Sequence, residues 1–307
     1  MRLFKILAIY MLMTSFLQCT KEENLSDKTL IYHETVKKDT LSKKIIKEKK
    51  EIKFYPFVIN RKDSAFALFS KKYSKEEIYV ILAINRLDYK NRWRADTLVV
   101  PDIFEKDFKA YSPFPLHIKN AEKINKLVLF SYPIHAFASY QNGELIKWGP
   151  TSMGKKSAPT KRGLTFTNWK KKLAISTVNA EWKLRWNFNI FNYLGIGWHQ
   201  YDLPGFHASH SCLRMLEADA FWMYNWADQW ILNKNGTQIL AKGTPVIIFG
   251  EPDFRNKPWM QLLKSSKADD YTEEQLNAEI EPYLEEILMQ QNIRKSYLKI
   301  DKIESTK

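Results

Sequence analysis

Apolar and polar residues follow one another along the chain in blocks whose spacing changes several times. Residues 6–17 are almost unbroken apolar, directly after Met1-Arg2-Leu3-Phe4-Lys5. Residues 20 to about 53 are polar and rich in Lys, Glu, Ser and Thr, with a charge-dense run at 43–50. No aromatic residue interleaves that run, so 20–60 reads as a disordered tether. Phe66, Phe69 and Tyr73 then fall on one helical face. A second helix is predicted over 75–85, with Ser74 as its N-cap. A turn at 85–88 and a short strand at 96–101 complete this unit, and 103–124 reads as a linker containing Tyr111-Ser112-Pro113-Phe114-Pro115. Strand-like apolar runs follow at 126–132 and 134–140. Gln141-Asn142-Gly143 is a tight hairpin signal leading into 145–148. Residues 216–232 predict a helix with Ala220, Met223, Ala227 and Trp230 or Ile231 on one face, ending near Asn235-Gly236. Residues 244–249 read as a closing strand. Beyond them, a charged stretch predicts a helix from Thr272 to about Gln290, with Leu276, Ile280, Leu284 and Leu288 on one stripe. That stripe fits docking on the preceding domain or on a partner.

Into this pattern falls the stretch 198–215, Trp-His-Gln-Tyr-Asp-Leu-Pro-Gly-Phe-His-Ala-Ser-His-Ser-Cys-Leu-Arg-Met. Cys212 is one of 2 cysteines, and three of the 6 histidines, His199, His207 and His210, lie just upstream of it. An unperturbed thiol has a pKa of about 8.5 and is a poor nucleophile until it loses its proton. A neighbouring imidazole can take that proton. His210 is held close by local backbone, whereas His199 lies far enough away to face the sulfur from another strand, with Pro204 and Gly205 supplying the turn between. A lone cysteine is also commonly a small buried hydrophobe. A zinc site would want paired short spacings such as C-x₂-C, and this stretch has one thiol, so no metal and no cofactor is expected.

The whole string resembles the catalytic motif of the L,D-transpeptidases, the YkuD-type family that cross-links peptidoglycan. The matching residues are His199, Leu203-Pro204-Gly205, Ala208, Ser209-His210, Cys212, Leu213 and Arg214. Ser211 stands where the family has glycine, and Gln200-Tyr201 stand where glycine and a small polar residue are common. If that glycine needs a positive φ, serine there is strained. Upstream, Pro150-Thr-Ser-Met-Gly154 and Pro159-Thr-Lys-Arg-Gly163 resemble the family's Ser-x-Gly and Thr-Pro-x-Gly turns, with Lys161 in place of proline. The resemblance covers about 125–250. The fold it implies is α+β and mainly β: a YkuD-type, β-sandwich-like catalytic domain at 125–252 with a helix after the nucleophile loop.

The resemblance also implies roles. Cys212 is the nucleophile, His199 donates and accepts the proton, and His210 orients the sulfur or the substrate, with a possible role as base. Backbone N–H groups of Ser211 and Cys212 receive the oxyanion. Arg214, Ser209 and Tyr201 are assigned to substrate binding, although an arginine at this position also suits tying the nucleophile loop to carbonyls. The implied substrates are peptidoglycan stem peptides. The acyl acceptor stays open among a stem amine, a protein lysine, a free amino acid and water. Trp169, Trp182 and Trp186 fit either the core or the cleft.

Composition sharpens the setting. The 307 residues carry a net charge of +14, with 45% hydrophobic and 14% aromatic residues, enough for a sizeable core. The charge suits a membrane surface or an anionic wall polymer, and no nucleic-acid module accompanies it. The short basic start, the apolar block and Phe16-Leu17-Gln18-Cys19 resemble a bacterial lipoprotein signal over 1–19, with Cys19 lipidated and Gln18 where a small residue is usual. An ordinary secretory signal or uncleaved anchor is the alternative. The expected location is the periplasm, anchored to a membrane through lipid. Once the signal is removed, Cys212 has no disulfide partner in the chain. Residues 61–102 resemble a LysM-like module through 81–88 and 96–101, which leaves glycan binding or a spacer open. As an independent module it is expected to be removable without slowing turnover of a small soluble stem peptide. Residues 253–307 read as a charged helical tail. A catalytically inactive wall-binding lipoprotein and an L,D-carboxypeptidase or hydrolase are the competing readings.

Overall fold

The computed structural model describes residues 51–60, 63–176 and 178–304. The signal, Cys19 and the tether up to residue 50 lie outside the described residues. Among the described residues no helix is long and apolar enough to cross a membrane.

The chain begins with β1 (Phe54–Val58), α1 (Asp63–Lys72), α2 (Lys75–Ile84) and β2 (Thr97–Pro101). β1 and β2 pair antiparallel, Phe54 opposite Pro101 and Val58 opposite Thr97. The unit is therefore βααβ, and it starts near residue 51, inside the stretch expected to be tether. Proline at the centre of Phe-Tyr-Pro-Phe-Val and the lysine-rich flank hide the strand in sequence. A two-stranded ladder tolerates that proline because one edge of the strand is unpaired. The N-terminus of α2 is a capping box. Ser74 Oγ accepts from Glu77 N–H at 3.2 Å and the Glu77 carboxylate accepts from Ser74 N–H at 2.8 Å.

Nine strands form the main sheet: β3 (Leu127–Ser131), β4 (Ala136–Gln141), β5 (Glu144–Ser152), β6 (Gly163–Phe166), β7 (Lys170–Ile175), β8 (Lys183–Phe191), β9 (Ile196–Gln200), β10 (Leu213–Met215) and, late in the chain, β13 (Pro245–Phe249). A minor pair, β11 (Ile231–Leu232) and β12 (Ile239–Ala241), stands apart. The order of the main sheet is β6-β13-β3-β4-β5-β10-β9-β8-β7. The β4–β5 hairpin turns on Asn142 at φ 50 and Gly143 at φ 79, the positive-φ pair that an Asn-Gly hairpin supplies.

β3, β4 and β13 are buried on both faces, which is why they read as apolar runs rather than alternations. Leu127, Leu129, Ala138, Ile247 and Phe249 point to one face. Tyr111, Phe114 and Ile118 from the expected linker cover it, with Trp259, Leu262, Leu276, Ile280 and Ile287 from the C-terminal stretch. Val128, Phe130, Phe137, Val246 and Ile248 point to the other face, where the sheet curls over to bring Phe188, Trp198 and Leu213 against them. α3 (Glu217–Trp226) closes that side through Ala220 and Met223. The result is mainly β and sandwich-like, built from one curled sheet.

Three expectations change. The helix after Cys212 stops at Trp226, because Ala227 turns extended at φ −73, ψ 146, so Trp230 and Ile231 are not on it. The C-terminal helix is two, α4 (Glu273–Ile280) and α5 (Leu284–Glu304), with a 3₁₀ turn over Glu281–Tyr283 where Pro282 has no N–H to give. The linker and the tail are both packed into the core, and the described residues form one compact unit. Arg86 marks the junction. It is 2% exposed; Nε donates to Ile134 O at 2.9 Å and Nη2 meets Asp269 at 3.1 Å, with Trp148 and Trp259 beside the guanidinium. Removing either charge would leave the other buried and unpaired, at a cost of about 3–5 kcal/mol.

Candidate active site

β9 and β10 run parallel, with Leu213 opposite Trp198 and Arg214 opposite His199. Side chains alternate along each strand. Trp198 and Leu213 are fully buried in the core, so His199 and Arg214 share the opposite face. Cys212 is two residues before Arg214 and takes that same face. Loop 201–211 joins the strands, with Gly205 at φ 80. A cavity of about 100 Å³ opens here, lined by His199, His210, Cys212, Arg214, Trp169 and Trp182 among others. Trp186 is elsewhere, packed edge-on against Phe221 and Tyr224.

His199 is 3% exposed, and its Nδ1 is 2.9 Å from Gln200 O. A carbonyl only accepts, so Nδ1 carries the hydrogen and Nε2 keeps its lone pair. Burial pushes its pKa down to about 4; the Gln200 carbonyl opposes this and the Arg214 charge adds to it. Burial moves the Cys212 thiol the other way, upward, while the Gly197 backbone N–H and Arg214 pull it back. At neutral pH the resting pair is therefore thiol and neutral imidazole, not thiolate and imidazolium.

The turn before Cys212 is held by side chains. Ser211 has φ 81, a left-handed conformation that costs a non-glycine residue roughly 1–2 kcal/mol. Its Oγ donates to Ala158 O at 3.2 Å, and its carbonyl accepts from Thr160 Oγ1 at 2.8 Å. These two bonds fix the turn in spite of the strain. Ser209 is 2% exposed and its hydroxyl donates to Cys212 O, so that hydroxyl is committed to the nucleophile turn. His207 is buried: Nδ1 accepts from Met153 N–H at 3.1 Å, Nε2–H donates to Tyr132 O at 3.0 Å, and the ring stacks on His135. Burial holds its pKa down at about 4.

His210 is exposed, and its Nε2 lies 2.9 Å from Lys155 Nζ. An ammonium only donates, so this nitrogen is the acceptor. What burial it has, then the Lys155 and Arg214 charges, keep its pKa below the ordinary value. Arg214 donates to Asp202 O at 3.3 Å and Ala208 O at 3.2 Å, and its guanidinium stacks 4.6 Å over the Tyr201 ring. Tyr201 in turn meets the His199 ring edge-on at 5.8 Å. Of the predicted site residues, His199, Tyr201, Ser209, His210, Cys212 and Arg214 line this one cavity, while Ser211 forms the turn beside it and the motif's Leu213 points into the core. Sequence reasoning missed Lys155, the Gly197 N–H and the Gln200 carbonyl. Lys155 directly follows the Ser152-Met153-Gly154 turn, the one signal that pointed near it.

Residues 125–248 match the family model YkuD, the L,D-transpeptidase catalytic domain. The fold is YkuD-type. Among solved structures, an L,D-transpeptidase from Stackebrandtia nassauensis is 20% identical, with a TM-score of 0.34 over 42% of this chain and 57% of that one. One from Mycobacterium smegmatis is 21% identical, with a TM-score of 0.33 over 41% and 59%. One from Mycobacterium tuberculosis is 19% identical, with a TM-score of 0.34 over 50% and 72%. The chain therefore covers less than two thirds of the first two. No curated protein matches it. The YkuD-type stretch contains His199, Cys212 and Arg214, while the βααβ unit and the C-terminal helices lie outside it.

Proposed function

We propose that the protein is a cysteine L,D-transpeptidase acting on peptidoglycan stem peptides through an acyl-enzyme on Cys212. What supports this most is the pair on β9 and β10: a buried imidazole with Nδ1–H fixed and Nε2 open, on the same face as the one thiol of the domain. As His199 Nε2 takes the thiol proton, the sulfur attacks the stem-peptide carbonyl and a C–S bond forms. The tetrahedral oxyanion meets backbone N–H groups of Ser211 and Cys212. The C–N bond to the terminal D-alanine then breaks, and His199 returns the proton to the leaving amine. An acceptor amine or water attacks next, its proton passes to His199, and the thiol re-forms. Because both groups rest neutral, proton transfer accompanies attack rather than preceding it.

His210, bonded to Lys155, stands at the mouth of the cavity and orients the substrate. Arg214 and Ser209 hold the loop, and Tyr201 lines the cleft between Arg214 and His199. Cys19 is the lipid-anchor site and the periplasm the location. The βααβ unit is LysM-like in its order of elements and faces glycan. The decisive experiment is intact mass after incubation with a carbapenem. One adduct on the parent and none on Cys212→Ser is expected; an adduct that persists in Cys212→Ser rejects the assignment.

A further inference from the structure

The turn after α2 makes contacts that no step above uses. α2 ends in a Schellman-type cap, with Leu87 N–H reaching Leu82 O at 2.9 Å and Arg86 N–H reaching Ala83 O at 3.0 Å. The left-handed position, commonly glycine, is Arg86 at φ 58. Its buried side chain gives the reason an arginine stands there. The cap aims Leu87 and Asp88 at the loop between His199 and Cys212. Leu87 bridges antiparallel to Pro204. Asp88 N–H donates to Leu203 O at 3.1 Å, and Asp88 Oδ2 accepts from Leu203 N–H. One residue of the βααβ unit thus takes both backbone groups of Leu203.

Asp88 is itself held. Asn91 gives its backbone N–H to Oδ1 at 2.8 Å and its amide to Oδ2 at 2.8 Å. Lys90 pairs with Asp202 at 3.0 Å on the surface. Gly205 leaves room for Leu87: a Cβ there would lie 3.1 Å from Leu87 Cδ2. From the other side Arg214 donates to Asp202 O. Leu203 is three residues after Gln200, whose carbonyl fixes the His199 tautomer.

We propose that Asp88 is a positioning residue for His199, so that the N-terminal βααβ unit is part of the catalytic apparatus. Asp88 pins Leu203, the pinned loop sets the Gln200 carbonyl, and that carbonyl keeps Nε2 aimed into the cleft. The inference rests on His199 being the base. It replaces the expectation that this unit can be removed without slowing turnover of a small stem peptide.

The test uses the full chain and follows three quantities: the rate of carbapenem acylation, the pH profile of Cys212 alkylation by iodoacetamide, and the melting temperature. Asp88→Ala should acylate roughly 10- to 100-fold more slowly, as for a catalytic group displaced by about an ångström. The apparent affinity for the carbapenem should stay close to parental, and the alkylation profile should shift. Asp88→Asn, which keeps an acceptor for Leu203 N–H, should recover most of the rate. If Asp88→Ala does not fold, Asn91→Ala carries the test, with the same direction and a smaller size. A folded variant with parental acylation and a parental alkylation profile overturns the proposal. A parent that no carbapenem acylates counts instead against the transpeptidase reading, and the alkylation profile, which needs no stem peptide, then decides the role of Asp88.

Discussion

Strand β9 and the turn at 207–211 each present a histidine to the same cavity, and they do so on opposite terms. His199 is buried, fixed in one tautomer by a backbone carbonyl and unable to charge near neutrality. His210 is exposed and accepts from a lysine ammonium. A strand backbone fixes direction and dryness, which a general base needs. A surface turn offers charge and reach, which suits contact with a polar substrate. The two nearby imidazoles, alike in sequence, are therefore not interchangeable.

The largest effect that could break this contrast is kinetic. His199→Ala should lower kcat by about 10²–10⁴, the range for a lost general base. His210→Ala should cost far less and fall mainly on KM. Steady-state rates on a soluble stem tetrapeptide check both, and equal losses would erase the distinction. The same contrast has a pH signature. Protonated His199 cannot accept the thiol proton, so kcat/KM should rise with pH through about 4. An acid limb near the ordinary histidine value of about 6.5 would mean that the working base is not the buried His199.

Stability gives the next effect. A histidine whose folded pKa is depressed binds fewer protons than the unfolded chain, so its contribution is complete above the unfolded value of about 6.5 and is lost as pH falls toward the folded value. His199 and His207 both sit at about 4. Between pH 7 and pH 5 each should withdraw about 2 kcal/mol of unfolding free energy. Urea melts at the two pH values measure this, and His207→Ala should remove part of the pH dependence.

How much of this was readable in the sequence depended on how local the causes were. Ser74, the Asn142-Gly143 turn and 198–215 announce themselves because their chemistry is set within a few residues. The two-faced burial of β3 and β13 showed as apolar runs, but nothing local says which strands neighbour them. β1 escaped because its proline and polar flank obey the pairing with β2 rather than its own propensity. Lys155 and Asp88 escaped for a stronger reason: each matters only through a partner more than fifty residues away. The packing of 103–124 and 258–287 on the sheet likewise exists only once the sheet does.

The smallest effect concerns the turn itself. Ser211→Ala keeps the strained φ and loses the bond to Ala158 O, so it should destabilise by about 1 kcal/mol. Ser211→Gly loses that bond but relieves the strain, so it should be the more stable of the two by roughly 1 kcal/mol. Paired thermal melts measure the difference, and an alanine variant as stable as the glycine one would mean that φ at 211 carries no penalty.

The position of β13 bears on how the chain reaches this state. The last strand of the sheet lies between β6 and β3, parallel to β3, with Val246 beside Val128. Until residues 245–249 arrive, β3 and β6 have no common neighbour and each exposes an open edge. Closure is a non-local event that pays loop entropy before any contact rewards it, and such pairings form slowly. A nascent chain emerging N-terminus first thus has no route to a finished sheet until nearly all of it has been made. A fragment ending before 245 should gather into aggregates rather than fold.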